Sequence, residues 1–300
     1  MIAAVACTPP TPSIAPQPGT TAPSARTSLP SDPAPGTTRT DDHGVDQVFV
    51  PTGTFRMGTD EPDPTGILAP PDWARLELRS ERPAHEVTLN SGYWIDTTEV
   101  TNAAFSAFVG DGGYATEAWW SDEGWSWLET QDAAALPDDR VDPLDDHPRV
   151  CITWFEAEAY AAWRGGSLPT EAQWEVAARG PDSRIFPWGD EWDPTKAWIV
   201  EATESTAVGS LPEGASWVGA LDMSGNAMEW VADWWRVTAY QDAAREDPTG
   251  PALGSAKVEK GGWWGAVPYV GRSAYRHFED PPTYRDHHIG VRVVSPADPT

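Results

Sequence analysis

Three of the six histidines in this 300-residue chain fall in one stretch, Arg276-His277-Phe278-Glu279-Asp280-Pro-Pro-Thr-Tyr284-Arg285-Asp286-His287-His288. Imidazole and carboxylate together are donor types that hold Zn²⁺ or Fe²⁺. Their spacing fits no zinc template, and adjacent residues on an extended backbone point apart, so His287 and His288 are expected to diverge. A polar loop packed under indole rings is the plainer reading, and aromatics mixed with Asp, His and Arg also suit a sugar or peptide. A second constellation is Asp222-Met-Ser-Gly225-Asn-Ala227-Met-Glu229. Two carboxylates in one short segment, with a Gly to turn the backbone, can aim side-chain and carbonyl oxygens at one point, as Ca²⁺ requires. The same residues also describe an Asp-to-Gly turn before a buried Glu-Trp pair. Thiol chemistry is scarce. The chain has two cysteines, Cys7 and Cys151, too few for a disulfide framework or a CxxC metal site. Cys151 precedes a helix cap, where a buried inert thiol is the default.

The elements that must position these residues are short. Val48, Val50, Phe55 and Met57 alternate around Pro51-Thr52-Gly53, which reads as a hairpin. Residues 85–95 alternate again. Thr101 caps a helix carrying Phe105, Phe108 and Val109. Thr153-Trp-Phe-Glu156 is a capping box for a helix that ends at Gly165-Gly166. Pro169-Thr170-Glu-Ala-Gln173 starts another that runs to Arg179-Gly180, with Trp174, Ala177 and Ala178 as its buried stripe. From Pro187-Trp188-Gly189 onward the chain reads mostly as loops, closed by a strand over Ile289–Val294. Four Trp lie within residues 119–127. They form either a small core under a long loop or the wall of a groove. The pattern is α+β with low regular secondary structure.

Composition narrows the function classes. The formal net charge is −26, nearly all of it in the part read as folded. Such a field repels phosphate backbones, so no nucleic-acid partner is expected. No run of 18 apolar residues exists to make a transmembrane helix. Met-Ile-Ala-Ala-Val-Ala-Cys7 resembles the end of a bacterial lipoprotein signal, and residues 1–7 are read as its remnant. Residues 8–43 are rich in Pro and Thr and bury too little apolar surface to fold; they read as a disordered tether. The domain is expected over residues 44–295. On this reading the protein is a lipoprotein, or is secreted or periplasmic, and touches the membrane only through a lipid on Cys7.

A family emerges from eight segments taken in order. They are Val50-Pro-Thr-Gly-Thr-Phe-Arg-Met-Gly58, Glu81-Arg-Pro-Ala-His85, Thr98-Glu-Val-Thr-Asn102, Leu168-Pro-Thr-Glu-Ala-Gln-Trp-Glu175, Pro187-Trp-Gly189, Asp222-Met-Ser-Gly-Asn226 with Glu229-Trp230, Gly261-Gly262 and Gly290-Val-Arg292. None is specific alone. Together they resemble the formylglycine-generating-enzyme (sulfatase-modifying factor) family. The resemblance implies a domain related to C-type lectins. It implies a structural calcium held by the side chains of Asp222 and Glu229 and the carbonyls of Gly225 and Ala227. A second calcium position follows an Ala-Asn pair in the family; here it reads Ala197-Trp198, and Trp offers no oxygen. The family's catalytic pattern places two cysteines after the Gly-Gly, at the positions of Ala266 and Gly271. Cu(I) needs thiolates, so no copper and no copper-dependent formylglycine generation are expected. In lectin-like and phage-tropism proteins resembling this fold, the C-terminal loop region presents binding residues. By that likeness Trp263, Trp264, His277, Glu279, Tyr284, Asp286 and His287 are candidates to bind a glycan or a peptide or protein at the cell envelope. The alternative is an oxidoreductase of the non-heme-iron-associated branch, since relatives without the cysteine pair resemble domains of thiohistidine biosynthesis and siderophore maturation.

Overall fold

The computed structural model describes residues 32–60, 75–132, 136–137, 144–200, 202–277 and 280–297. Cys7, most of the proposed tether and Glu279 lie outside the described residues. In chain order the elements are β1 (Thr38–Thr40), β2 (Asp46–Val50), β3 (Gly53–Met57), α1 (Arg75–Ser80), β4 (His85–Leu89), β5 (Tyr93–Asp96), α2 (Asn102–Gly110), α3 (Asp122–Leu128), α4 (Trp154–Trp163), α5 (Glu171–Arg179), β6 (Met228–Trp234), β7 (Lys257–Lys260), β8 (Ile289–Gly290) and β9 (Val294–Pro296). They build three small sheets, ordered β1-β2-β5-β9, β3-β4 and β7-β6-β8. The first two are antiparallel; in the third, β6 runs antiparallel to β7 and parallel to β8.

The capping signals translate directly. Thr153 and Thr170 each accept the N3 backbone N–H, while Glu156 and Gln173 reach back to the cap, so two orphan donors are satisfied at each helix start. Thr101 caps α2 through the Ala104 N–H at 3.2 Å. Trp174, Ala177 and Ala178 are fully buried as the stripe requires. Gly180 has φ +68, and a Cβ there would meet the Trp217 ring at 2.8 Å.

The proposed hairpin does not form. β2 pairs with β1 and β5, whereas β3 leaves for a separate sheet with β4. Alternation fixes which face is buried, not which neighbour is paired. Residues 85–95 likewise divide into β4 and β5, in different sheets. The closing strand is interrupted between β8 and β9, and Arg292 lies in the gap. β1 pairs Thr38 with Val48 and Thr40 with Asp46, so regular structure begins inside the stretch assigned to the tether. Arg39 stacks 4.5 Å over Trp94 and its Nε donates to Gln47 at 2.9 Å. β6 falls where loops were expected. Its first four residues are buried on both faces, so no period-two signal shows.

Two apolar clusters meet at β6. Val231 joins α5, β2, β3 and β4, while Met228 and Trp230 join α2, α4 and Val291. The Trp-rich insertion is a satellite of the second cluster. Trp120 is buried with Nε1 on the Gly113 carbonyl at 2.8 Å, and Trp127 lies 5.8 Å from Phe155.

Candidate functional site

The segment from Asp280 to His288 is anchored on three sides. Lys257 N–H donates to Asp280 O at 3.0 Å, Trp154 N–H to Pro282 O at 3.1 Å, and Cys151 N–H to Asp286 O at 2.9 Å. Met228 N–H donates to His288 O at 2.8 Å as the chain enters β8. Arg285 pairs with buried Glu156 at 3.1 Å. β7 supplies Glu259, and an antiparallel bridge between Glu259 and His277 puts both side chains on one face.

The histidines converge rather than diverge. Residues 287–288 form a turn, not extended backbone, so the expected divergence does not apply. The rings of His287 and His288 lie 3.7 Å apart, and their Nδ1 atoms stand 3.0 and 2.7 Å from one oxygen of Asp286. The hydrogen bond from His288, against the opposing cost of burial, holds the Asp286 carboxyl down at about 2. Tyr284 donates to the other Asp286 oxygen at 3.2 Å. Its phenol is pushed up to about 12 by burial and then by the charge of Asp286.

Trp263 stands between two histidines, 5.8 Å from His277 and 5.6 Å from His288. Trp264 lies 4.9 Å from His288 but is buried with Val150, Cys151 and Ala227. It therefore supports the loop from below. Cys151, distant in sequence, packs in the same layer at φ +55. Burial lowers His277 to about 4, so it is a neutral imidazole at ordinary pH. Glu259, missed in the sequence, is fully buried beside it. Burial, then Asp280 and Asp286, push its carboxyl well up. In the sequence Glu259 stands between Val258 and Lys260, a pattern that reads as half-buried strand and carries no signal of a site.

The two positions the resemblance assigns to thiolates do not fit copper. Ala266 is half-buried against the Phe186 and Trp188 cluster. A Cβ on Gly271 would stand 2.6 Å from Ile199 Cδ1 and 2.7 Å from Ser224 Oγ, so the space is already filled.

The Asp222–Glu229 set has become an ion-pair network. Glu229 is fully buried, and its oxygens accept Arg292 Nε and Nη2, both at 2.6 Å, and Trp174 Nε1 at 2.6 Å. Asp222, at φ +57, accepts Gly209 N–H at 2.6 Å. A third carboxylate, Glu99, bonds Ala227 N–H at 3.2 Å. Burial, then Asp222 and Glu229, push the Glu99 carboxyl well up, while Arg292 opposes them. Three of the acceptor positions of Glu229 are thus taken by Arg292 and Trp174, so a calcium ion held by Asp222 and Glu229 would have to share Glu229 with the Arg292 guanidinium.

A family model described as "Sulfatase-modifying factor enzyme 1-like domain" matches residues 34–297. The chain belongs to this family. The formylglycine-generating enzyme of Thermomonospora curvata is 34% identical over 259 residues, covering 72% of this chain and 81% of the relative. Hercynine oxygenase of Mycolicibacterium thermoresistibile is 35% identical over 245 residues, covering 74% of this chain but 54% of the relative. Among solved structures, PvdO from Pseudomonas aeruginosa superimposes with a TM-score of 0.66 at 27% identity, over 87% of this chain and 98% of that one. This sulfatase-modifying-factor domain therefore has the α+β, C-type-lectin-related fold with modest regular structure. The matched span also begins ahead of residue 44, in keeping with β1.

Proposed function

We propose that this sulfatase-modifying-factor domain is a ligand-binding module at the cell envelope, with its working face on the loop around Trp263, His277, Tyr284, Asp286 and His287. The observation that carries the reading is the convergence of Trp263 with His277 and His288, the latter stacked on His287, beside Glu259, Asp280 and Asp286. His287 and Tyr284 are exposed and Trp263 half-exposed, so the aromatic rim is reachable from solvent. Indole faces over carboxylates suit a glycan or peptide that presents a positive charge. A lipid on Cys7 would hold the domain at the membrane surface. Glycan and peptide arrays probed with the isolated chain test the reading. Trp263→Ala should abolish any specific signal, and a signal that survives it overturns this face.

An oxidoreductase is the second reading. The similarity to hercynine oxygenase favours it, as does a neutral imidazole beside two carboxylates. Substrate turnover without copper, lost in His277→Ala, would establish it over simple binding.

A further inference from the structure

We infer that Glu259, His277 and Asp280 form a binding site for a divalent transition-metal ion, beyond the ligand-binding reading above. One donor atom from each lies within 4.8 Å of the others. Two donors about 2.1 Å from one ion are at most about 4.2 Å apart, so closure needs a shift of at most about half an ångström.

The buried glutamate is the decisive feature. Glu259 is fully buried, no N–H or hydroxyl donor meets either carboxylate oxygen among the described residues, and the side chain it interacts with most strongly is another carboxyl, Asp280. Two facing carboxyl groups with no cation between them are costly in such a place. The basic groups around it are committed elsewhere. Lys260 pairs with Glu175 at 3.2 Å, Arg276 with Glu171, and Arg285 with Glu156. Lys257 Nζ donates to Ala232 O and sits 3.7 Å over Trp154. The Glu99–Asp222 pair differs: Arg292 already serves that cluster, and it has no imidazole.

The donor set is one nitrogen and two carboxylates, which suits Zn²⁺, Mn²⁺ or Fe²⁺ over Cu(I). His277 and Asp280 are partly buried rather than sealed, which gives an ion a route in from solvent. The Tyr275 hydroxyl, 3.4 Å from His277 Nδ1, steadies the ring from behind. The alternative arrangement is a proton shared by Glu259 and Asp280, which metal binding would release.

The test is titration of the chelator-treated full chain with Zn²⁺ and with Mn²⁺, read by calorimetry and by Mn²⁺ spin resonance. One equivalent should bind. Glu259→Gln, nearly isosteric, and His277→Ala should each weaken binding at least tenfold, while the exposed Asp182→Asn should not. No binding by the native chain overturns the site. So does binding that survives both variants and is lost in Asp286→Asn, which would assign the ion to Asp286, His287 and His288. If Glu259→Gln fails to fold, His277→Ala decides alone.

Discussion

Restoring a cysteine at position 271 tests whether the copper position has closed in three dimensions or merely lost its sulfur. Gly271 ends a 3₁₀ turn, and its missing Cβ would lie 2.6 Å from Ile199 Cδ1 and 2.7 Å from Ser224 Oγ. Neither neighbour yields easily. Ile199 is fully buried, and Ser224 Oγ donates to the Gly271 carbonyl at 2.9 Å. Overpacking of this kind costs about 1–3 kcal/mol. At about 2–4 °C per kcal/mol, Gly271→Cys should melt roughly 2–12 °C below the native chain. Ala266→Cys, on a half-buried loop, should stay within about 0.5 kcal/mol. Ile199→Val removes the obstructing methyl group; alone it costs about 0.5–1.5 kcal/mol. Combined with Gly271→Cys it should cost less than the sum, because the two changes share one space. Calorimetric melting of the single variants and the pair completes the cycle, and Cu(I) titration of Ala266→Cys/Gly271→Cys adds the chemical readout. Gly271→Cys melting at the native temperature, with strictly additive Ile199→Val, would refute the argument.

Three further outcomes follow from the buried charges. Arg292→Ala should destabilise by about 3–5 kcal/mol, since it strands Glu229, and denaturant unfolding measures the loss; Arg292→Lys should rescue little of it because one ammonium cannot match the fork. Calcium should leave the melting temperature where chelator does, whereas an ion at a hundredfold excess over its Kd would add about 2.7 kcal/mol; a calcium shift abolished by Asp222→Asn would restore the calcium site. Asp233 is raised by burial and by Glu171 to about 7 from 3.8, so the folded state binds its proton more tightly than the unfolded chain. Its contribution is therefore full below the unfolded value and lost as pH rises through about 7. Asp233→Asn should flatten that part of the stability profile, and an unchanged slope would show that the proton sits elsewhere.

Much of the local structure was legible in the residues. Thr101, Thr153 and Thr170 announced three helix starts because a cap is a contact between residues three apart. The ordered motifs placed the family, and the absence of thiols at positions 266 and 271 was read directly. Pairings were not legible. Val48–Val50 and Phe55–Met57 alternate alike, yet they belong to different sheets whose partners lie elsewhere along the chain. β6 was hidden because burial on both sides erases alternation.

The candidate site divides along the same line. The sequence by itself determined which donors the C-terminal loop holds and that copper's ligands are missing, because residue identity is a local fact. Tertiary structure alone decided what those residues meet. It brought Glu259 from β7 beside His277, turned His287 and His288 together on Asp286, and paired Glu229 with Arg292. The physical reason is that a buried charge takes its state from its neighbours in space, and chain spacing does not fix who they are.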